Sequence, residues 1–263
     1  MSTELVTLEI RDAVATLTLN RPDVRNAMKA EMGRCVEAAV ARVNGMSDVR
    51  AVVVTGAGRA FSAGGDLDSL AKDAGLGDAG DGLGGGANFY SLYLSIGRLA
   101  VPSIAAINGH AIGAGLCFAL ACDLRVMHDQ AKVGMTFVKI GIHPGMAATW
   151  NLPRIVGPSH AADLLYTGRL VDAREALAMG LVNRVAGDDS FRATVDELAR
   201  SIAANGPVAV RALKQTLRGS ATRTIDDAIV READAQAMTF KTTDAREGIS
   251  AIKAKREPRF TGR

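Results

Sequence analysis

The amino-acid sequence predicts an α/β fold, and three observations carry that expectation. Short, continuous apolar runs end in small-residue turns that open onto helices, as in Val52-Val53-Val54 followed by Ala63-Gly64-Gly65. The same outline recurs at Ile104-Ala105-Ala106-Ile107 followed by Gly113-Ala114-Gly115. After about residue 188 the strand signals stop and amphipathic helices take over.

The elements follow in order. Leu5 to Ile10 and Val14 to Leu19 alternate apolar and polar residues around Arg11-Asp12, which reads as a β-hairpin. From Met28 the apolar residues Met32, Cys35, Val36, Ala39, Val40 and Val43 recur at helical spacing, with Asn26 placed to cap the helix start. Arg50 to Thr55 is a strand buried on both faces and ended by Gly56. Residues 73 to 87 are rich in glycine and poor in apolar residues, the composition of a mobile lid. A helix from about Asn88 to Leu99 leads to a strand at Ser103 to Ile107, a helix beginning near Gly115, and a buried strand at Leu124 to Met127. Phe191, Val195, Leu198 and Ile202 stripe one C-terminal helix, which Asn205-Gly206-Pro207 ends, and Ile225, Ile229, Ala233, Ala237 and Phe240 stripe another. The expected division is a core over 1–187 and a helical region over 188–263.

Composition narrows the function. Hydrophobic residues at 48% and charged residues at 22% over 263 positions describe an ordinary globular chain able to bury a large core. The 31 basic residues exceed the 28 acidic ones by only three, and apart from Lys253, Lys255, Arg256 and Arg259 they are scattered, so no nucleic-acid partner is implied. Cys35, Cys117 and Cys122 encode neither a disulfide framework nor a paired metal motif, and a reducing cytoplasm is the expected location. No export signal and no membrane-spanning run is read from the sequence.

The two glycine-containing turns are the places where chemistry is expected. Small residues let a ligand approach the main chain, and N–H groups at a helix start point outward without partners. One such turn is weak evidence, because tight packing of strand on helix explains its glycines equally well. Two are better.

These segments carry a resemblance. Asn20-Arg21-Pro22, Asn26-Ala27-Met28, Ala60-Phe61-Ser62-Ala63-Gly64-Gly65-Asp66-Leu67, Ala105-Ala106-Ile107-Asn108-Gly109, and Gly113-Ala114-Gly115 through Cys122-Asp123-Leu124 resemble the crotonase, or enoyl-CoA hydratase/isomerase, family. Pro144-Gly145, Thr167-Gly168 and Gly180-Leu181-Val182-Asn183 continue the match. The resemblance implies a spiral of ββα units and a helical C-terminal region used in trimerisation, with a homotrimer or a hexamer of two trimers as the assembly. It also implies an acyl-CoA thioester as ligand, coenzyme A being part of the substrate, with no other cofactor and no metal. The thioester oxygen is then held by the peptide N–H groups of Gly65 and Ala114, an oxyanion hole in which one donor contributes about 10²–10³ in rate. Arg25, Ala27, Ala63, Gly64, Asp66 and Leu67 fall on the path of adenine and pantetheine. Phe260 either covers adenine from a neighbouring subunit or serves as a terminal hydrophobic anchor.

The match departs from the family's hydratases at two positions. They use two glutamates for proton transfer, and by alignment of motifs these positions carry Cys117 and Phe137 here. His143 offers an imidazole in place of the carboxylate that other members carry in the same turn. Cys117 is a candidate nucleophile at a helix start, Cys117 and Phe137 count among the substrate-binding positions, and Phe137 and Trp150 would make the acyl pocket apolar. The plainer readings are Cys117 as a buried thiol, Phe137 and Trp150 as core, Asp66 as a helix cap and His143 as a polar contact. Two functions follow: an enoyl-CoA hydratase/isomerase-like enzyme, lyase or isomerase, of fatty-acid or related acyl-CoA metabolism, and a non-catalytic acyl-CoA binding or delivery protein.

Overall fold

The computed structural model describes residues 4–76 and 86–263. β1 (Val6–Arg11) and β2 (Val14–Leu19) form the expected hairpin, with Arg11 opposite Val14. Asp12 and Ala13 close it with φ of 49° and 64°, the paired positive values of a turn whose twist matches its strands. The alternation of β2 is real, since Ala15, Leu17 and Leu19 are buried and the residues between them less so.

α1 (Ala30–Asn44) begins after Lys29, whose side chain makes no cap. Asn26 is therefore not the helix cap. It is fully buried, its amide donates to the Ala57 and Ala60 carbonyls at 2.9 and 2.8 Å, and its oxygen accepts from the Arg21 amide at 2.9 Å, stapling three loop segments.

From there the chain repeats one unit. β3 (Ala51–Gly56), β4 (Ala60–Ser62) and α2 (Leu67–Asp73) form the first, with α3 (Ala87–Leu94) following. β5 (Ser103–Ile107), β6 (His110–Ile112) and α4 (Ala114–Leu120) form the second. β7 (Leu124–His128), β8 (Lys132–Gly134) and α5 (Ala148–Thr167) form the third, α5 breaking at Gly157 with φ 79° and ψ 162° just before Pro158. Each unit gives its first strand to a six-stranded sheet, β1-β2-β3-β5-β7-β10, and its second to a four-stranded sheet, β4-β6-β8-β9. Here β9 is Leu170–Asp172, α6 is Ala173–Ala178 and β10 is Arg184–Ala186. Within both sheets these first and second strands pair parallel, so each helix starts at the same end of its unit. The result is a spiral of ββα units.

The helices of the C-terminal part divide by what they bury. α7 (Phe191–Ala203) lays Val195, Leu198 and Ala199 on Val53, Ile104, Ala106 and Val126 of the large sheet. α8 (Pro207–Arg218) is tied to the sheet by Lys214, whose Nζ donates to Asp123 at 2.6 Å and to the Val101 carbonyl at 2.7 Å. Burial lowers the Lys214 ammonium below its usual range, against the pull of Asp123. α9 (Ile225–Phe240) buries no residue, and its stripe faces outward: Ile225, Ile229 and Phe240 are 77%, 59% and 62% exposed. α10 (Thr243–Ala254) is clasped by the chain end, where Asp244 accepts from the Thr261 and Gly262 amides and Thr243 donates to the Arg263 carbonyl. Most of residues 73 to 87, expected to form a lid, lie outside the described residues. No helix among the described residues is long and apolar enough to cross a membrane.

Candidate active site

The turns between β4 and α2 and between β6 and α4 face each other. A Cβ on Gly64 would lie 2.6 Å from the Ile112 carbonyl and 3.6 Å from the Ala114 amide nitrogen, and a Cβ on Gly115 would lie 2.6 Å from the Ser62 carbonyl. Glycines at 64 and 115 thus allow two backbones to touch. Each turn places a positive-φ glycine directly before the residue of interest, Gly64 at 95° before Gly65 and Gly113 at 53° before Ala114.

Both following N–H groups are free. Gly65 sits in a parallel bridge with Met28, but the bridge uses its neighbours: Met28 donates to the Gly64 carbonyl at 2.7 Å and Asp66 donates to the Met28 carbonyl at 3.0 Å. Ala114 is the first residue of α4, where no intrahelical acceptor exists. Among the described residues neither N–H has a hydrogen-bond acceptor.

The two groups open onto a cleft of about 410 Å³, lined also by Ala63, Gly64, Leu67, Phe137 and His143. Phe137 sits in a 3₁₀ turn, Thr136–Ile140, with the far end of its ring 3.8 and 3.9 Å from where a Gly113 Cβ would be, so it lines the cleft beside that turn. His143 is exposed, and its Nδ1–H donates to the Pro144 carbonyl at 2.8 Å. A carbonyl only accepts, so Nδ1 carries a proton in this contact, and Nε2 has no hydrogen-bond partner among the described residues.

Other residues singled out from the sequence stand elsewhere. Cys117 does not line the cleft: it is fully buried, 3.7 Å from both Met135 Sδ and the Gly145 carbonyl, and burial pushes its thiol up to about 12. The third residue of α4 after Ala114 turns into the core because every residue of that helix is buried. Arg25 is exposed, and its carbonyl accepts from the Ala63 amide at 2.9 Å, which sets the segments around Arg25–Ala27 and Ala63–Leu67 side by side. Asp66 caps α2 through the Ser69 amide at 3.3 Å and pairs with Arg21 at 3.1 Å. Burial raises the Asp66 carboxyl, but the Arg21 hydrogen bond and charge and the Ser69 contacts outweigh it and hold it below the usual range. Neither Arg25, Ala27 nor Asp66 lines the cleft itself. Phe260 rests against Gly248, 3.4 Å from its Cβ position, while its carbonyl accepts from Arg50 at 2.7 Å. Trp150 is also absent from the cleft, being 53% exposed and covered by the Arg154 guanidinium 3.3 Å from its ring centre.

Sequence reasoning did not name Leu70, Phe89, Tyr90, Ile112 or Met146, all of which line the cleft. Only the aromatic pair Phe89-Tyr90, following a glycine-rich stretch, offered a signal. Among the described residues no group of three or more His, Cys, Asp or Glu is placed to hold a metal ion.

Two strands per unit divided between two sheets, with helix-start turns meeting over one cleft, define a class of α/β spirals built from ββα units. Residues 9–263 match the family model described as "Enoyl-CoA hydratase/isomerase", and the chain belongs to that family. It is 36% identical to the 1,2-epoxyphenylacetyl-CoA isomerase of Escherichia coli over 99% of each chain, and 35% identical to the crotonyl-CoA hydratase of Syntrophomonas wolfei, again over 99% of each. The crystal structure of an enoyl-CoA hydratase from Bacillus anthracis superposes with a TM-score of 0.90 at 30% identity, covering 99% of this chain and 100% of that one.

Proposed function

We propose that the cleft binds an acyl-CoA thioester with its carbonyl oxygen between the N–H groups of Gly65 and Ala114, and that the protein is an enzyme working through the enolate-like charge stabilised there. The observation that carries this reading is the pair of free N–H groups on two touching turns at one cleft. Coenzyme A enters as part of the substrate, and the reading requires no further cofactor. The named relatives are enzymes, and they lend no support to a non-catalytic carrier.

The proton-transfer groups differ from those of a two-glutamate hydratase. Cys117 and Phe137 occupy the positions that the family's hydratases give to glutamates; the first keeps its proton near neutral pH in the core and the second has none to give. His143, on the cleft with Nε2 unpartnered among the described residues, is the acid/base of this proposal. Phe260 covering adenine from a neighbouring subunit remains part of the reading, as does a homotrimer or a dimer of trimers, for which the outward apolar stripe of α9 supplies the surface. Three unpaired thiols suit a reducing cytoplasm.

The test is incubation of the protein with saturated and enoyl-CoA esters in heavy water, following α-hydrogen exchange and hydration by mass spectrometry. Exchange or turnover is expected, falling by about 10²–10⁴ in His143→Ala. Tight binding with no exchange or turnover on any ester sinks the catalytic reading.

A further inference from the structure

α3 carries three aromatic residues in three environments. Phe89 is buried and packs on Tyr93 with ring centres 5.1 Å apart. Tyr93 is buried too, and its hydroxyl donates to the Lys29 carbonyl at 2.8 Å, the ordinary way a core tyrosine settles its polar end. Tyr90 is half-buried and lines the cleft, and its hydroxyl has no hydrogen-bond partner among the described residues.

The protein makes room for that oxygen. A Cβ on Gly145 would collide with the Tyr90 hydroxyl and lie 2.6 Å from its Cζ. Gly145 does not have a positive φ, so its backbone does not ask for glycine. The missing side chain serves the phenol, which spans from α3 to the turn that carries His143. Leu70, Phe89, Phe137 and Met146 give the cleft apolar walls, and the Tyr90 hydroxyl joins Asp73, Thr136 and His143 as one of its few directional side-chain groups.

We propose that Tyr90 is a specificity-determining residue whose hydroxyl reads an oxygen on the acyl chain, making hydroxyacyl or oxoacyl thioesters the preferred class over plain alkanoyl ones. This rests on the acyl-CoA reading given above. Apolar walls separate ligands by a methylene only weakly, whereas a site that hydrogen-bonds a ligand oxygen discriminates strongly against the analogue lacking it. Thr136, the other hydroxyl residue on the cleft, lies beside Gly113 and serves as the control.

The experiment is titration calorimetry of the intact protein with butyryl-CoA, 3-hydroxybutyryl-CoA and 3-oxobutyryl-CoA. At least one oxygenated ester should bind roughly 10-fold more tightly than butyryl-CoA, the effect of one hydrogen bond. Tyr90→Phe should erase that ratio by weakening the oxygenated ester alone, while Thr136→Val keeps it. Equal binding of all three by the wild type, or a preference that survives Tyr90→Phe, overturns the proposal and leaves the acyl-CoA reading standing. Binding of none overturns both. Loss of folding in Tyr90→Phe, checked by thermal melting, would make the hydroxyl structural and equally end the proposal.

Discussion

The turns around Gly65 and Ala114 present their N–H groups in the same way and are supported in opposite ways. Behind Ala114 stands α4, all seven of whose residues are buried. Behind Gly65 stands α2, which buries none and is held at its start by Asp66, through Arg21 and the Ser69 amide. One donor is fixed by packing and the other by polar tethers near the surface. The difference teaches that one site can draw its rigidity from two sources, and that only the second responds to pH and salt.

The largest expected effect tests the packed side. Ala114→Pro removes the N–H at a first helical position, where proline is otherwise accommodated, so the fold should hold while turnover of the best ester falls by at least about 10²–10³. A melting curve close to wild type with unchanged turnover would show that this amide is not used.

Next come the two glycines. Gly64→Ala drives a methyl into the Ile112 carbonyl at positive φ, whereas a Cβ at Gly113 meets nothing nearer than Thr136 Oγ1 at 3.7 Å. Gly113→Ala should cost only its backbone strain, about 1–3 kcal/mol, and Gly64→Ala measurably more, because the two turns must also part. Denaturant midpoints compare them directly, and equal losses would contradict the close approach.

Asp66→Ala should cost about 1 kcal/mol, the value of a helix cap, and raise hydrogen exchange in α2 without touching α4. The sign of its pH dependence follows from the lowered carboxyl. The stabilisation is fully present above the usual carboxylate range near about 4 and fades as pH falls through the lowered value, so variant and wild type should converge in acid.

The smallest effect lies far from the cleft. The Arg256 guanidinium, with the Arg259 amide, holds the Glu247 carboxyl down to about 2. The clasp on α10 is therefore complete above about 4 and loosens as pH drops toward about 2. Glu247→Gln should speed proteolysis of the chain end at neutral pH with little change in melting temperature, since the pair is exposed.

The long elements were legible because each spans enough residues to show its period, as in Val14–Leu19 and Phe191–Ala203. The small sheet was not, since Ala60–Ser62, His110–Ile112 and Lys132–Gly134 have three residues apiece. Asn26 shows the limit of local rules: its residue type suits a cap, but the helix starts only after Lys29 and the fold spends the Asn26 amide on distant carbonyls. In the site, main-chain features were visible through their glycines. Of the cleft's side chains Leu67, Phe137 and His143 were legible, whereas Tyr90 and Met146 were not, being brought in by how α3 and the turn before α5 lie, and Cys117 is turned away because all of α4 is buried.

The free N–H groups of Gly65 and Ala114 belong to the peptide chain and not to any side chain. Apart from proline, no codon change deletes them. Ancestry can therefore rewrite the side chains at 117, 137 and 143 while the two outward N–H groups pass unaltered from parent gene to copy.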